Sequence, residues 1–209
     1  MNKIHIIKHI HQNKKEVKKV NSLILNGFKN DSIFYNKIKN KLLKILSEKN
    51  IKNNWIDLVE KDIEYCNGCG YCNMQNPGIC AKNDDMKEIF PLMANSEVLI
   101  FISPIKFGCY NSQLKKAIDR YSVMGLPTYS VHKGELHHPA RYNNPNYFMS
   151  IGILDQPNKD IEDTFKLVSD RNAICFFTEE SRTLILNDSI KDSEIKNKIT
   201  EGIKNLGVK

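Results

Sequence analysis

The sequence has no long apolar run. Its longest, Val98 to Ile102, falls far short of the roughly 18 residues that a membrane span needs. Met1 to Ile10 mixes Lys and His with Ile around no apolar centre, so it does not read as a secretory signal. No loop has the Gly-Lys-Ser/Thr ending of a Walker motif, and none has the three glycines of a dinucleotide fingerprint. No Ser-His-Asp nucleophile elbow and no paired-carboxylate signature is present. Six cysteines in 209 residues are too few for a disulfide scaffold. Without an export signal, the thiols are expected to be reduced and the protein cytoplasmic.

The hydrophobic fraction, 41%, is near the globular norm and excludes disorder throughout. The length suits one domain of ordinary size. The 31 Lys plus Arg against 24 Asp plus Glu give a net charge of +7. That balance would suit nucleic acid or an anionic cofactor. The lysines, such as Lys37, Lys39, Lys41 and Lys44, are scattered like a solvated helix face. A nucleic-acid stripe would interleave them with aromatics. No nucleic-acid or membrane partner is therefore expected.

Apolar runs alternate with helical periodicity. Strands are expected at Val20 to Leu25, Trp55 to Val59, Val98 to Ile102, Tyr147 to Leu154 and Thr183 to Leu186. Between and after them, helical spacing covers Ser32 to Lys49, the stretch opening at Asp84-Asp85, Gln113 to Arg120, Ile161 to Arg171 and Ile195 to Leu206. This alternation predicts an α/β fold, a parallel sheet with helices on both faces. Two parts stand outside it: an extension over residues 1–19, and a polar segment, Ser122 to Asn146, expected to form a lid or interface loop. In such a sheet ligands bind beyond the carboxyl ends of strands. The loaded ends are Asn26 to Ser32, Ser103 to Tyr110 and Gly152 to Asn158.

Four of the cysteines cluster. Cys66, Cys69 and Cys72 have two residues between neighbours, and seven separate Cys72 from Cys80. Zinc sites usually set two close pairs far apart. Three thiols at successive short gaps instead match iron–sulfur ligation by one wrapping loop. Gly68, Gly70 and Gly78 would let that loop bend. Zinc, or four reduced thiols without metal, are the alternatives.

After the first strand, backbone amides, Lys29 and the Ser32 hydroxyl could hold a phosphate. An ordinary turn with Ser32 as N-cap fits the same residues. Ser103 to Tyr110 could offer amides and an aromatic to a flat heterocycle. Cys109 reads as a packing residue, and Trp55 as core. His137 and His138 are adjacent and cannot share one face of an extended chain, so a two-histidine metal site is not expected there; one of them could serve as a proton donor. His5, His9 and His11 share a face if their segment is a strand.

At these residues the chain resembles the flavodoxin-like NAD(P)H-dependent FMN reductase family, in its iron–sulfur flavoprotein branch. The resemblance rests on Leu25-Asn26-Gly27, the Cys66-x-x-Cys69-x-x-Cys72 segment, Pro77 to Cys80, and Asp84-Asp85-Met86. It continues through Ser103-Pro104, Phe107-Gly108 and Leu114 to Arg120. It implies a doubly wound five-stranded sheet of order 2-1-3-4-5 and a bound FMN. By the resemblance, Gly27, Phe28, Lys29, Asn30, Asp31 and Ser32 hold the phosphate, and Pro104, Ile105, Lys106, Phe107 and Gly108 line the flavin ring. Cys66, Cys69, Cys72 and Cys80 match the ligands of a [4Fe–4S] cluster. The first loop departs from the family pattern, with Phe28 in place of Ser and no Arg.

The implied function is electron transfer from NAD(P)H or a reduced protein through FMN to an acceptor, with the cluster as a further centre. The family resemblance also implies a homodimer, with Ser122 to Asn146 reaching the partner's flavin. Two rival readings are a non-enzymatic electron carrier and a metal-stabilised binding module without flavin.

Overall fold

A computed structural model of the chain describes residues 20–29, 32–143 and 145–207. The extension 1–19 with His5, His9 and His11, and the loop residues Asn30 and Asp31, lie outside the described residues.

Five strands form the parallel sheet: β1 (Asn21–Asn26), β2 (Lys52–Asp57), β3 (Val98–Lys106), β7 (Tyr147–Leu154) and β8 (Glu180–Asn187). Their spatial order is β2-β1-β3-β7-β8, which is the expected 2-1-3-4-5 order once short hairpin strands are set aside. β4 (Cys109–Tyr110) turns back antiparallel on the end of β3, and β5 (Ser130–His132) pairs with β6 (Glu135–His137). The helices are α1 (Ile33–Glu48), α2 (Tyr71–Met74), α3 (Met86–Ala94), α4 (Ser112–Asp119), α5 (Lys159–Cys175) and α6 (Asp192–Asn205).

Side chains alternate across a strand, so a sheet covered on both sides needs apolar residues at every position. In β3, Leu99 and Phe101 enter one core while Val98, Ile100 and Ile102 enter the other. The first core is closed by α3, α4 and α5, the second by α1 and α6. Phe101 centres the first, meeting Phe148, Phe176 and Tyr110 edge-on at 5.1, 5.8 and 5.9 Å. Edge-to-face aromatic packing adds about 0.5–1.5 kcal/mol per pair beyond area burial.

Several boundaries differ from expectation; β3 runs on through Ser103 and Pro104 to Lys106 instead of ending at Ile102. β2 runs over Lys52–Asp57, and Leu58 begins a 3₁₀ turn to Glu60. The strand lies at the sheet edge, half exposed, so Lys52, Asn53 and Asn54 can occupy it without an apolar signal. Trp55 is correspondingly half-buried, its Nε1 donating to Asp57 Oδ1 at 2.7 Å.

The segment after α4 is also more ordered than a loop. It begins as a 3₁₀ turn, Arg120–Met124, and then forms the β5–β6 hairpin. Lys133 and Gly134 make the tip, both at positive φ (49° and 82°), as a two-residue primed turn requires. Leu126 N donates to Pro139 O, and Arg141 N to Met124 O, each at 2.8 Å, closing the base of this excursion.

Candidate functional site

Because β1 and β3 are adjacent, the loops that leave them emerge side by side, where the strand order reverses. Gly27 N donates to Ile102 O at 2.8 Å. Asn111, the N-cap of α4, knits the two ends further. Its Nδ2 donates to Gly27 O at 2.7 Å and its backbone N to Ser103 Oγ at 2.9 Å, while its Oδ1 accepts from Leu114 N. A Cβ on Gly27 would stand 2.4 Å from Asn111 Oδ1, so any other residue there would displace the Asn111 side chain. The sequence reading did not single out Asn111; its signal was an Asn directly before a periodic helix.

At the end of β1, Ser32 does cap α1: its Oγ accepts from Tyr35 N at 3.3 Å. Its hydroxyl proton stays available to donate. The first turn of α1 holds no acidic residue, whereas those of α5 and α6 hold two each. The positive end of α1 is thus uncompensated by its own first turn. Lys29 is exposed beside it. Phe28 turns back onto the helix, its ring stacked on Tyr35 at 5.2 Å and 8°.

At the end of β3, β3 and β4 are joined through Phe107 and Gly108, at φ 53° and 73°. The Phe107 side chain is wholly exposed at this tip. Lys106 Nζ lies 3.8 Å from Asp155 Oδ2, an exposed pair linking the tip to the loop after β7. Ile105 goes the other way, buried in the first core, and Gly108 packs under Thr164. Lys106 and Phe107 therefore present side chains at the carboxyl edge, while Ile105 presents backbone only.

The cysteine segment forms a second centre. Gly68 and Gly70 sit at φ 63° and 69°, the left-handed region, and let the chain fold back between Cys66, Cys69 and Cys72. Cys72 lies in α2, with its Sγ 3.7 Å from Ser122 Oγ. All four thiols, Cys66, Cys69, Cys72 and Cys80, line one cavity of about 280 Å³, closed on its other side by the end of α4 and the 3₁₀ turn after it. All are free thiols. Among the described residues, no three His, Cys, Asp or Glu side chains gather as ligands of a single ion.

Arg120 borders the same cavity. Its side chain is 1% exposed, and that of its partner Asp84 is 2% exposed. Arg120 Nη1 donates to Asp84 Oδ2, and the guanidinium lies 5.7 Å from the Phe90 ring centroid. Asp84 also accepts from Glu64 N at 2.9 Å and Met86 N at 3.2 Å. Burial pushes the Asp84 pKa up, but Arg120 and these amides outweigh it and hold it below the usual carboxylate range. Burial likewise opposes the charge of Arg120, yet Asp84 and then Cys80 keep its pKa above the usual value. Nε and Nη2 of Arg120 are buried without a hydrogen-bond partner.

The two histidines diverge. His137 Nε2 lies 3.1 Å from Glu135 Oε2, whereas His138 Nδ1 lies 2.8 Å from Leu126 O. Cys109 packs against the first core.

The chain matches the family model of NADPH-dependent FMN reductases over residues 20–152. It belongs to that family. Its matched stretch includes both strand ends and the whole cysteine segment. It is 35% identical over 78 residues to an iron-sulfur flavoprotein of Methanocaldococcus jannaschii, covering 37% of this chain and 39% of that one. It is 36% identical over 70 residues to an iron-sulfur flavoprotein of Archaeoglobus fulgidus, covering 34% and 31%. The matches thus span less than half the length of these relatives. In structure it is similar to an NAD(P)H:quinone oxidoreductase from Methanothermobacter marburgensis, with a TM-score of 0.67 at 15% identity. That alignment covers 90% of this chain and 99% of the other, and shows a shared fold. Among the described residues no helix is long and apolar enough to cross a membrane.

Proposed function

We propose that this FMN reductase family member is an FMN-dependent oxidoreductase with an iron–sulfur cluster as a second redox centre. The observation that carries the reading is the Asn111–Gly27 clamp at the switch point of the sheet, which brings the loops that follow β1 and β3 together. FMN, when bound, accepts electrons in pairs and releases them singly or in pairs. The chain's part is to seat it. The amino end of α1 with Ser32 and Lys29 would hold the phosphate, and Pro104 to Gly108 would border the ring. Asn30 and Asp31 belong to the same proposed loop. A nicotinamide nucleotide or a reduced protein is the proposed electron donor.

Cys66, Cys69, Cys72 and Cys80 would hold the cluster. Four sulfurs spread around a cavity suit a polynuclear group better than one zinc ion, whose ligands must each approach to about 2.0–2.3 Å. A cluster there would supply a one-electron centre. The eight residues of α4 lead from Asn111 at the ends of β1 and β3 to Arg120 at this cavity, a helix about 12 Å long.

We also propose that two copies pair through the β5–β6 hairpin. Val131 and Leu136 face each other across it and are 73% and 71% exposed, with Tyr129 beside them also exposed. Together they form an exposed apolar patch of the kind that marks an interaction surface.

The deciding experiment is an absorption spectrum of anaerobically purified protein, with released FMN, iron and zinc quantified. Flavin bands with a broad iron–sulfur absorbance and about four irons per chain are expected. No flavin after reconstitution with FMN would overturn the oxidoreductase reading. Flavin without iron would reduce it to a one-centre FMN enzyme.

A further inference from the structure

A buried arginine with unused donors is costly. A buried donor left unsatisfied costs its full desolvation, and the cost is greater when the group is charged. Arg120 meets Asp84 through Nη1 alone, and Asp84 is already supplied by two backbone amides. The remaining donors, Nε and Nη2, have no partner, although the side chain is almost wholly enclosed. Phe90 covers the guanidinium but cannot accept from its edge. The cavity the residue borders has Cys80 and the three other clustered thiols on its wall. An anionic sulfur acceptor within that cavity would satisfy these donors.

We propose that Arg120, held in place by Asp84, is a positioning residue of the cysteine centre that aims fixed cationic donors at the sulfur atoms of a cluster bound there. This rests on the cluster reading above and adds a role that the four thiols do not supply. A cluster ligated by four thiolates is a net anion, and reduction adds one more negative charge. A buried guanidinium favours the more negative state, and hydrogen bonds to sulfur act in the same direction. Arg120 should therefore raise the midpoint potential. Lys82, which borders the same cavity, is partly exposed and paired with Glu64, so its charge is screened more strongly.

The test uses the full chain, reconstituted anaerobically with iron and sulfide, and reads the cluster midpoint potential by mediated titration followed by electron paramagnetic resonance. Arg120→Lys keeps a charge but loses the fork. Arg120→Met with Asp84→Asn removes both charges, so no buried carboxylate is left alone. The double variant is expected to show at least a tenfold lower ratio of reduced to oxidised cluster at fixed potential, a downward shift of about 59 mV or more for a one-electron couple. Arg120→Lys should fall between. A double variant with wild-type iron content and an unchanged midpoint overturns the role of Arg120 while leaving the cluster standing. Wild-type chain that takes up no iron and sulfide overturns the cluster reading and this inference with it. Should the double variant lose its fold, as read by circular dichroism, Arg120→Lys decides: a wild-type midpoint in it overturns the inference.

Discussion

Asn111 Nδ2 and the Gly27 carbonyl lie 2.7 Å apart, and this contact fastens the start of α4 to the end of β1. Gly27 is buried, and a Cβ there would stand 2.4 Å from Asn111 Oδ1. Gly27→Ala should push Asn111 aside and weaken FMN binding at least tenfold. Fluorescence titration of flavin-free protein with FMN measures this. Wild-type affinity in a less stable variant would make the clamp a structural tie only.

Lys29→Ala and Ser32→Ala separate charge from capping. Loss of a Ser cap costs about 1 kcal/mol of stability, so Ser32→Ala should lower both the melting midpoint and FMN retention. Lys29 is exposed, so Lys29→Ala should lower FMN retention alone. Full retention in both variants would remove the pair from the phosphate site.

The parallel sheet was legible because its central strands are covered on both faces and carry apolar residues at consecutive positions, as in Val98 to Ile102 of β3, while its order followed from the family resemblance. The edge strand β2 was misplaced because half of it is polar. The four cysteines were legible as a group because a short loop keeps them together in sequence as well as in space. Arg120 and Asp84 were not legible as a pair, since 36 residues separate them. Each had a sufficient local reading: Asp84 as a carboxylate at a helix start, Arg120 as the polar end of α4. The β5–β6 hairpin was missed because three-residue strands carry almost no periodicity. The Lys133-Gly134 turn was its one local signal.

The Asp84–Arg120 pair predicts a large, asymmetric stability effect. Asp84→Ala leaves a buried guanidinium without its counter-charge, and breaking such a pair by removing one partner costs about 3–5 kcal/mol. Urea unfolding of the flavin-loaded protein should show that loss with little change in slope. A loss below about 1 kcal/mol, the range of exposed pairs, would mean that water reaches the pair.

Val131→Lys combined with Leu136→Glu should convert a dimer into a monomer. Both side chains are mostly exposed, so the fold of the single chain has little to lose. Sedimentation velocity at micromolar concentration distinguishes the species. A wild-type chain that is already monomeric refutes pairing through this face, and so does a doubly substituted chain that stays dimeric.

The same hairpin is fastened to α5 by a charge contact with a definite pH signature. Both guanidinium nitrogens Nη1 and Nη2 of Arg171 donate to Glu135, at 2.7 and 2.5 Å. Arg171 first, and then His137, pull the Glu135 pKa from its ordinary 4.5 down to about 2. A carboxylate whose pKa is lowered by folding stabilises the folded state above its unfolded pKa. That contribution disappears as pH falls through the folded value. The tie should therefore be intact above about pH 4.5 and fade towards pH 2. Glu135→Gln should remove the dependence, since the amide keeps the shape without the charge. Hydrogen exchange of the β5 and β6 amides, compared between wild type and Glu135→Gln at matched pH, reads it. The two proteins should differ at pH 6 and converge near pH 2; equal protection at pH 6 would show that the hairpin is held by its backbone closure at Leu126 and Arg141 alone.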